Sequence, residues 1–264
     1  MKRFLIVSLL CGLFSGSPAF ATKPESLDLY LLIGQSNMAG RGALSEADRK
    51  PDPRIFVLNK ENAWVSQGEP IHFDKPGMTG VGLGFTFAKL AAAKNPGVTV
   101  GLIPCAVGGT PIARWKPGAD LYEAALARAK LAQQSGRLKG ILWHQGESES
   151  GDETKARAYA ENLAEVAAGF RRDLNAPDVP FIAGELGEFL YTRKGDKSPF
   201  ARVINEQINT LPSLIPHAAA VSSAGLGHKG DELHFSSEAL KEFGARYFAA
   251  LQSLQATSSR SKKP

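Results

Sequence analysis

Leu29-Tyr30-Leu31-Leu32-Ile33-Gly34-Gln35-Ser36-Asn37-Met38 carries an apolar run that breaks at a glycine and passes straight to a serine. Five apolar residues bounded by a turn signal are too few for a helix and fit a strand buried on both faces. The chain thus delivers Ser36 where a buried strand turns sharply into a helix start. Similar short runs recur at Ile55 to Leu58, Val98 to Ile103, Gly140 to Trp143, Val179 to Ala183 and Ala218 to Val221. Between most of them lie helical patterns at Gly84 to Lys94, Leu121 to Gln134, Thr154 to Leu174 and Pro199 to Leu211, with a last one from Ser237 to Leu254. Strands alternating with helices predict an α/β fold, a mostly parallel sheet covered on both faces. Ligands bind such folds outside the carboxyl ends of the strands.

The unusual polar residues fall at those ends. Ser36 follows the first strand, Gly108-Gly109-Thr110 the third, His144-Gln145-Gly146-Glu147-Ser148 the fourth, and Asp231-Glu232-Leu233-His234 the last. A serine hydroxyl becomes a useful nucleophile when a base takes its proton and a third group orients that base. His234 is the candidate base for Ser36, and Asp231, three residues earlier, reaches its Nδ1 from one turn of loop. Acyl transfer further needs donors aimed at the developing oxyanion. The backbone N–H of Ser36, that of Gly109 and the side-chain amide of Gln145 are the candidates. Arg114 and Trp115 follow the Gly-Gly turn; Trp115 either offers a ring face to a sugar at the expected site or packs on the loop, and Arg114 either borders that site or pairs with a carboxylate. His144, beside Gln145, is placed near the pocket.

Gly-Gln-Ser-Asn-Met, Gly-Gly-Thr-Pro-Ile with Trp115, Trp-His-Gln-Gly-Glu-Ser and Asp-x-x-His, in this order, resemble the SGNH-type carbohydrate esterases. The likeness is strongest to carbohydrate esterase family 6 and the sialate O-acetylesterase-like domain, and it runs from about Leu29 to Leu240. It implies a flavodoxin-like three-layer α/β/α sandwich and deacetylation of an acetylated polysaccharide or sugar, such as acetylxylan, through an acetyl-serine, with no metal or other cofactor. Sialate O-acetyl ester hydrolysis is the alternative activity. The resemblance makes Ser36 the nucleophile and His234 the base, with Ser36, Gly109 and Gln145 around the oxyanion. Many relatives carry Asn where this chain has Gln145. The family also leaves open whether Glu147, rather than Asp231, orients the histidine; Asp231 is preferred.

Two rivals compete with this reading. His228-x-x-Asp231-x-x-His234 has residue types that bind zinc, although no H-E-x-x-H occurs and the metal reading leaves Ser36 without a purpose. A non-catalytic carbohydrate-binding protein is the other, and the intact Ser36, Asp231 and His234 speak against it.

Of the 264 residues, 1–21 read as a signal peptide. Met1-Lys2-Arg3 is followed by an apolar stretch and the small-residue cleavage pattern Pro18-Ala19-Phe20-Ala21. The expectation is a protein exported to the periplasm or the medium, with no membrane span after cleavage. Cys11 makes a poor lipid-attachment site, because Leu10 precedes it where a small residue is needed. Residues 22–256 form one expected domain and 257–264 a disordered basic tail. Setting aside Lys2, Arg3, Arg260, Lys262 and Lys263 from the 31 basic residues leaves 26 against 26 acidic ones. That neutral body lacks the basic footprint of a nucleic-acid partner. Cys105 is the one cysteine left after cleavage, read as a small buried hydrophobe that forms no intramolecular disulfide.

Overall fold

The structure is a computed structural model that describes residues 26–195 and 197–261. The expected signal peptide and Cys11 lie outside the described residues. In chain order the elements are β1 (Leu27–Gly34), α1 (Ser36–Ala39), β2 (Ile55–Leu58), β3 (Trp64–Val65), α2 (Leu83–Lys94), β4 (Val100–Pro104), α3 (Asp120–Ala132) and β5 (Gly136–His144), followed by α4 (Glu153–Arg157), α5 (Tyr159–Asp173), β6 (Phe181–Gly184), α6 (Ala201–Leu214), β7 (Ala218–Val221) and α7 (Ser237–Ser261). Seven strands form one sheet in the order β3-β2-β4-β1-β5-β6-β7. All pairings are parallel except β2 with β3 at the edge.

β1 is the middle strand, and its alternation builds two cores. Leu29, Leu31 and Ile33 pack with Trp143, Tyr159, Phe170 and Ile204 on the layer of α3 to α6. Tyr30 and Leu32 face the other way, toward Phe87, Leu240 and Phe243 of α2 and α7. A strand covered by helices on both faces has no polar side, which is why its sequence reads as an unbroken apolar run. The expected flavodoxin-like α/β/α sandwich is the observed one.

Three departures from the sequence reading stand out. The single helix expected over Thr154 to Leu174 is two, α4 and α5, parted at Ala158. The two-residue strand β3 is too short to leave a periodic signal. The last helix, expected to stop at Leu254, continues to Ser261 and enters the stretch read as a disordered tail. Gln255-Ala256-Thr257-Ser258-Ser259 contains neither glycine nor proline, so nothing local ends the helix there.

Candidate active site

Gly34 ends β1 with φ 131, and a Cβ at that position would lie 2.1 Å from the carbonyl oxygen of His144 on β5. Only glycine lets the two backbones approach this closely. The chain then turns, the N–H of Gln35 donates to His144 O at 2.9 Å, and Ser36 becomes the first residue of α1.

His234 is brought to Ser36 from the far end of the chain. Asp231 Oδ1 accepts the backbone N–H of Leu233 at 3.0 Å and of His234 at 2.8 Å, which curls the loop before α7. Phe235 then plunges into an aromatic cluster with Phe189 and Phe243. The anchored Phe235 leaves its neighbour's ring facing Ser36. Asp231 Oδ2 lies 2.7 Å from His234 Nδ1, and His234 Nε2 lies 3.1 Å from Ser36 Oγ. An imidazole held this way has Nδ1–H donating to the carboxylate and Nε2 free to accept from a hydroxyl.

The pKa directions agree with that arrangement. Burial pulls the Asp231 carboxyl up, but the backbone and ring donors of His234 and the N–H of Leu233 outweigh it and bring it to about 2. His234 is lowered: burial is the largest cause, the charges of Lys229 and Arg41 add to it, and Asp231 opposes them. Near neutrality these directions favour an ionised Asp231 and a neutral His234, the states that an orienting acid and a general base need.

Of the three oxyanion donors read from sequence, two are left unengaged and one is not. The N–H groups of Ser36 and Gly109 make no hydrogen bond among the described residues. Gly109 has φ 76 and is exposed beside the Ser36 loop. Its turn is held by Gly108, whose N–H donates to Asp74 Oδ2 at 2.8 Å, and Asp74 is in turn paired with Arg41 at 2.7 Å. Gln145 is 0% exposed, and its Nε2 is occupied by Gln35 Oε1 and Thr110 O, each at 3.1 Å, and by Glu149 Oε2. Tyr159 hydroxyl donates to its Oε1 at 3.0 Å. An amide with both ends satisfied inside the core cannot turn toward an oxyanion, so Gln145 is a framework residue.

Trp115 and His144 also turn inward, which favours the packing alternative for each. Trp115 is 0% exposed, crosses Trp143 edge to face and donates from its indole to Thr110 Oγ1 at 3.2 Å. No face remains for a sugar. Arg114 is exposed and forks onto Asp120, with Nε 3.0 Å from Oδ1. His144 is fully buried against Phe235 and Phe243 and lines no pocket.

Glu147 does not touch His234. Its Oε1 accepts from Asn37 Nδ2 at 2.6 Å, and burial raises it to about 7. His228, the outer member of the zinc reading, uses Nδ1 to accept the N–H of Gly230 at 3.0 Å and of Glu232 at 3.2 Å. Among the described residues no three His, Cys, Asp or Glu side chains gather as ligands would. Cys105 is raised to about 11 by burial, which keeps its thiol protonated and inert.

Sequence reasoning missed Asn37, Glu149 and the Arg41–Asp74 pair. Asn37 lies inside a motif already singled out, one residue after Ser36, and Glu149 directly follows another, two residues after Glu147. Arg41 and Asp74 are 33 residues apart and left no signal of pairing.

A family model described as carbohydrate esterase, sialic acid-specific acetylesterase, matches residues 26–253. The chain is 32% identical over 240 residues to a probable carbohydrate esterase of Arabidopsis thaliana, covering 82% of this chain and 86% of the relative. A solved structure from Arabidopsis thaliana superposes with a TM-score of 0.78 at 29% identity, over 86% of this chain and 98% of that one. NanS superposes at 0.72 with 18% identity, over 89% of this chain and 99% of the other, which is a likeness of fold. Matched along nearly all of its described length, the chain belongs to the carbohydrate esterase family whose model bears that description, and it is a carboxylic ester hydrolase.

Proposed function

We propose that the protein removes O-acetyl groups from carbohydrate through an acetyl-Ser36 intermediate. The observation that carries this reading is the Asp231–His234–Ser36 line, at 2.7 and 3.1 Å. His234 Nε2 takes the proton of Ser36 Oγ as the oxygen attacks the acetyl carbonyl. Asp231 stabilises the imidazolium without itself becoming protonated. The unengaged N–H groups of Ser36 and Gly109 receive the oxyanion, and a lost donor of this kind costs about 100- to 1,000-fold in rate. His234 then returns the proton to the departing sugar oxygen. In the second half a water, deprotonated by His234, attacks the acetyl-serine and releases acetate. The chemistry needs no metal: nucleophile, base, orienting acid and donors all come from the chain.

Acetylxylan and other acetylated sugars are the proposed substrates. The family description favours sialic acid O-acetyl esters as the second reading. The apolar leader ending at Ala21 supports export to the periplasm or the medium. Acetate release should be measured from acetylated xylan, acetylated glucose and O-acetyl sialic acid, beside the Ser36→Ala and His234→Ala variants. Both variants are expected to abolish release with the thermal midpoint unchanged. Near-normal turnover by either would overturn the mechanism, and the preferred ester decides the substrate. Chelator treatment is expected to leave activity intact.

A further inference from the structure

Ser36 and His234 come from opposite ends of the chain, so something must hold the two loops in register. The side chain that spans them is Asn37. It is 1% exposed and engages both ends of its amide. Oδ1 accepts the N–H of Phe235 at 3.1 Å. Nδ2 donates to Leu233 O at 3.2 Å and to Glu147 Oε1 at 2.6 Å. Leu233 and Phe235 are the two neighbours of His234, so one amide grips the backbone on either side of the base. Glu147, at the carboxyl end of β5, fixes which way that amide faces. Its other oxygen, Oε2, is buried and unpartnered.

We propose that Asn37 and Glu147 are positioning residues forming a clasp, Asn37 holding the His234 loop against the Ser36 turn and Glu147 orienting Asn37. The proposal rests on the serine-esterase reading and adds to it the source of the 3.1 Å approach between Nε2 and Oγ. It separates two roles for the glutamate. A carboxylate that orients the imidazole by its charge is lost on conversion to an amide. A carboxyl oxygen that accepts from Asn37 is replaced by the amide oxygen of glutamine.

The test measures kcat, KM and thermal midpoint with 4-nitrophenyl acetate and an acetylated sugar for N37A, E147A, E147Q, N37D and the double variant N37D/E147Q, with S36A as the reference. A displacement of about 1 Å in a reacting group costs about 100-fold, so N37A and E147A should lose about that in kcat with KM within about twofold. E147Q should stay within about fivefold of the parent, because the introduced amide oxygen still accepts. N37D removes the donor. In the double variant the introduced glutamine amide donates to the introduced aspartate and restores the contact with position 147 in reverse, while the donation to Leu233 O stays lost, so kcat should recover part of the loss, at least about twofold over N37D. The double variant keeps the proposal testable if an alanine variant does not fold.

E147Q as impaired as E147A would overturn the clasp in favour of a charge acting directly. An unchanged kcat in N37A, or no recovery in the double variant, would overturn it too. In each of those cases S36A remains inactive. Turnover by S36A would instead remove the serine-esterase reading itself.

Discussion

At His234 two effects oppose one another. Burial, helped by the charges of Lys229 and Arg41, disfavours the imidazolium while the Asp231 carboxylate favours it, and the net shift is downward. The base is therefore neutral below the ordinary histidine value of about 6.5. The acid limb of kcat/KM reports that group in the free enzyme, so it should fall below the ordinary value of about 6.5 in a pH–rate profile. Asp231→Asn removes the opposing effect. Its limb should move lower still while kcat drops, because the ring also loses its orientation. A limb that moves upward would contradict this balance. Trp115 yields a different expectation from the one its place in the sequence raised. Buried against Trp143 with its indole N–H satisfied, it contributes packing, and truncation of such a side chain costs about 3–5 kcal/mol. Trp115→Ala should lower the urea midpoint steeply. Where the variant folds, KM for an acetylated sugar should change no more than KM for a small acetate ester.

Among the elements, the β1-to-α1 junction tolerates little change. An alanine at Gly34 would set its methyl 2.1 Å from a backbone oxygen at φ 131. Neither the clash with backbone nor the φ can be relieved by moving a side chain. Gly34→Ala should therefore cost at least about 3 kcal/mol, read as a drop in the urea midpoint and in hydrogen-exchange protection along β1 and β5. Wild-type stability in this variant would mean that the strands can part without loss. The same two strands show why the apolar runs were legible and the helix break was not. β1 is enclosed on both faces, so every residue is apolar and the run announces itself. The break at Ala158 places Tyr159 where its hydroxyl meets Trp143, 3.0 Å away, and Gln145. That contact exists only after folding.

For the whole molecule, the buried histidines set the acid side of stability. His72 and His144 are both held down to about 3 by burial. A lowered folded pKa means that the unfolded chain binds the extra protons, so stability is fully present above about 6.5 and is lost as pH falls toward about 3. Glu69 and Glu147 act with the opposite sign. Burial raises them to about 8 and about 7 from an ordinary 4.5, so the folded state holds their protons and stability falls with rising pH through that window. Between about 4.5 and about 6.5 the two pairs offset each other. Below about 4.5 the histidines act unopposed and the slope reaches roughly 3 kcal/mol per pH unit. Urea unfolding from about pH 3 to about pH 8 should show a plateau near pH 4.5 to 6.5, with a steep fall below it and a shallow one above. A maximum above about pH 8 would mean that the glutamates are ionised in the fold.

The sequence by itself determined the layer architecture, because burying a parallel strand on both faces demands continuous apolar runs. It also singled out Ser36, Asp231 and His234, because the serine and the Asp-x-x-His pair are each local in the chain, and the fold brings the three side chains within hydrogen-bonding distance. Only the tertiary structure decided which neighbours of those motifs face the cleft. Gln145, Trp115 and His144 sit at strand ends like Ser36, and a one-dimensional pattern does not distinguish a side chain that turns outward from one that turns into the core. Packing makes that choice: Thr110, Glu149, Tyr159 and the aromatic cluster around Phe235 claim the inward-facing groups. Asn37 became visible for the same reason, since its partners lie 110 and 196 to 198 residues away along the chain.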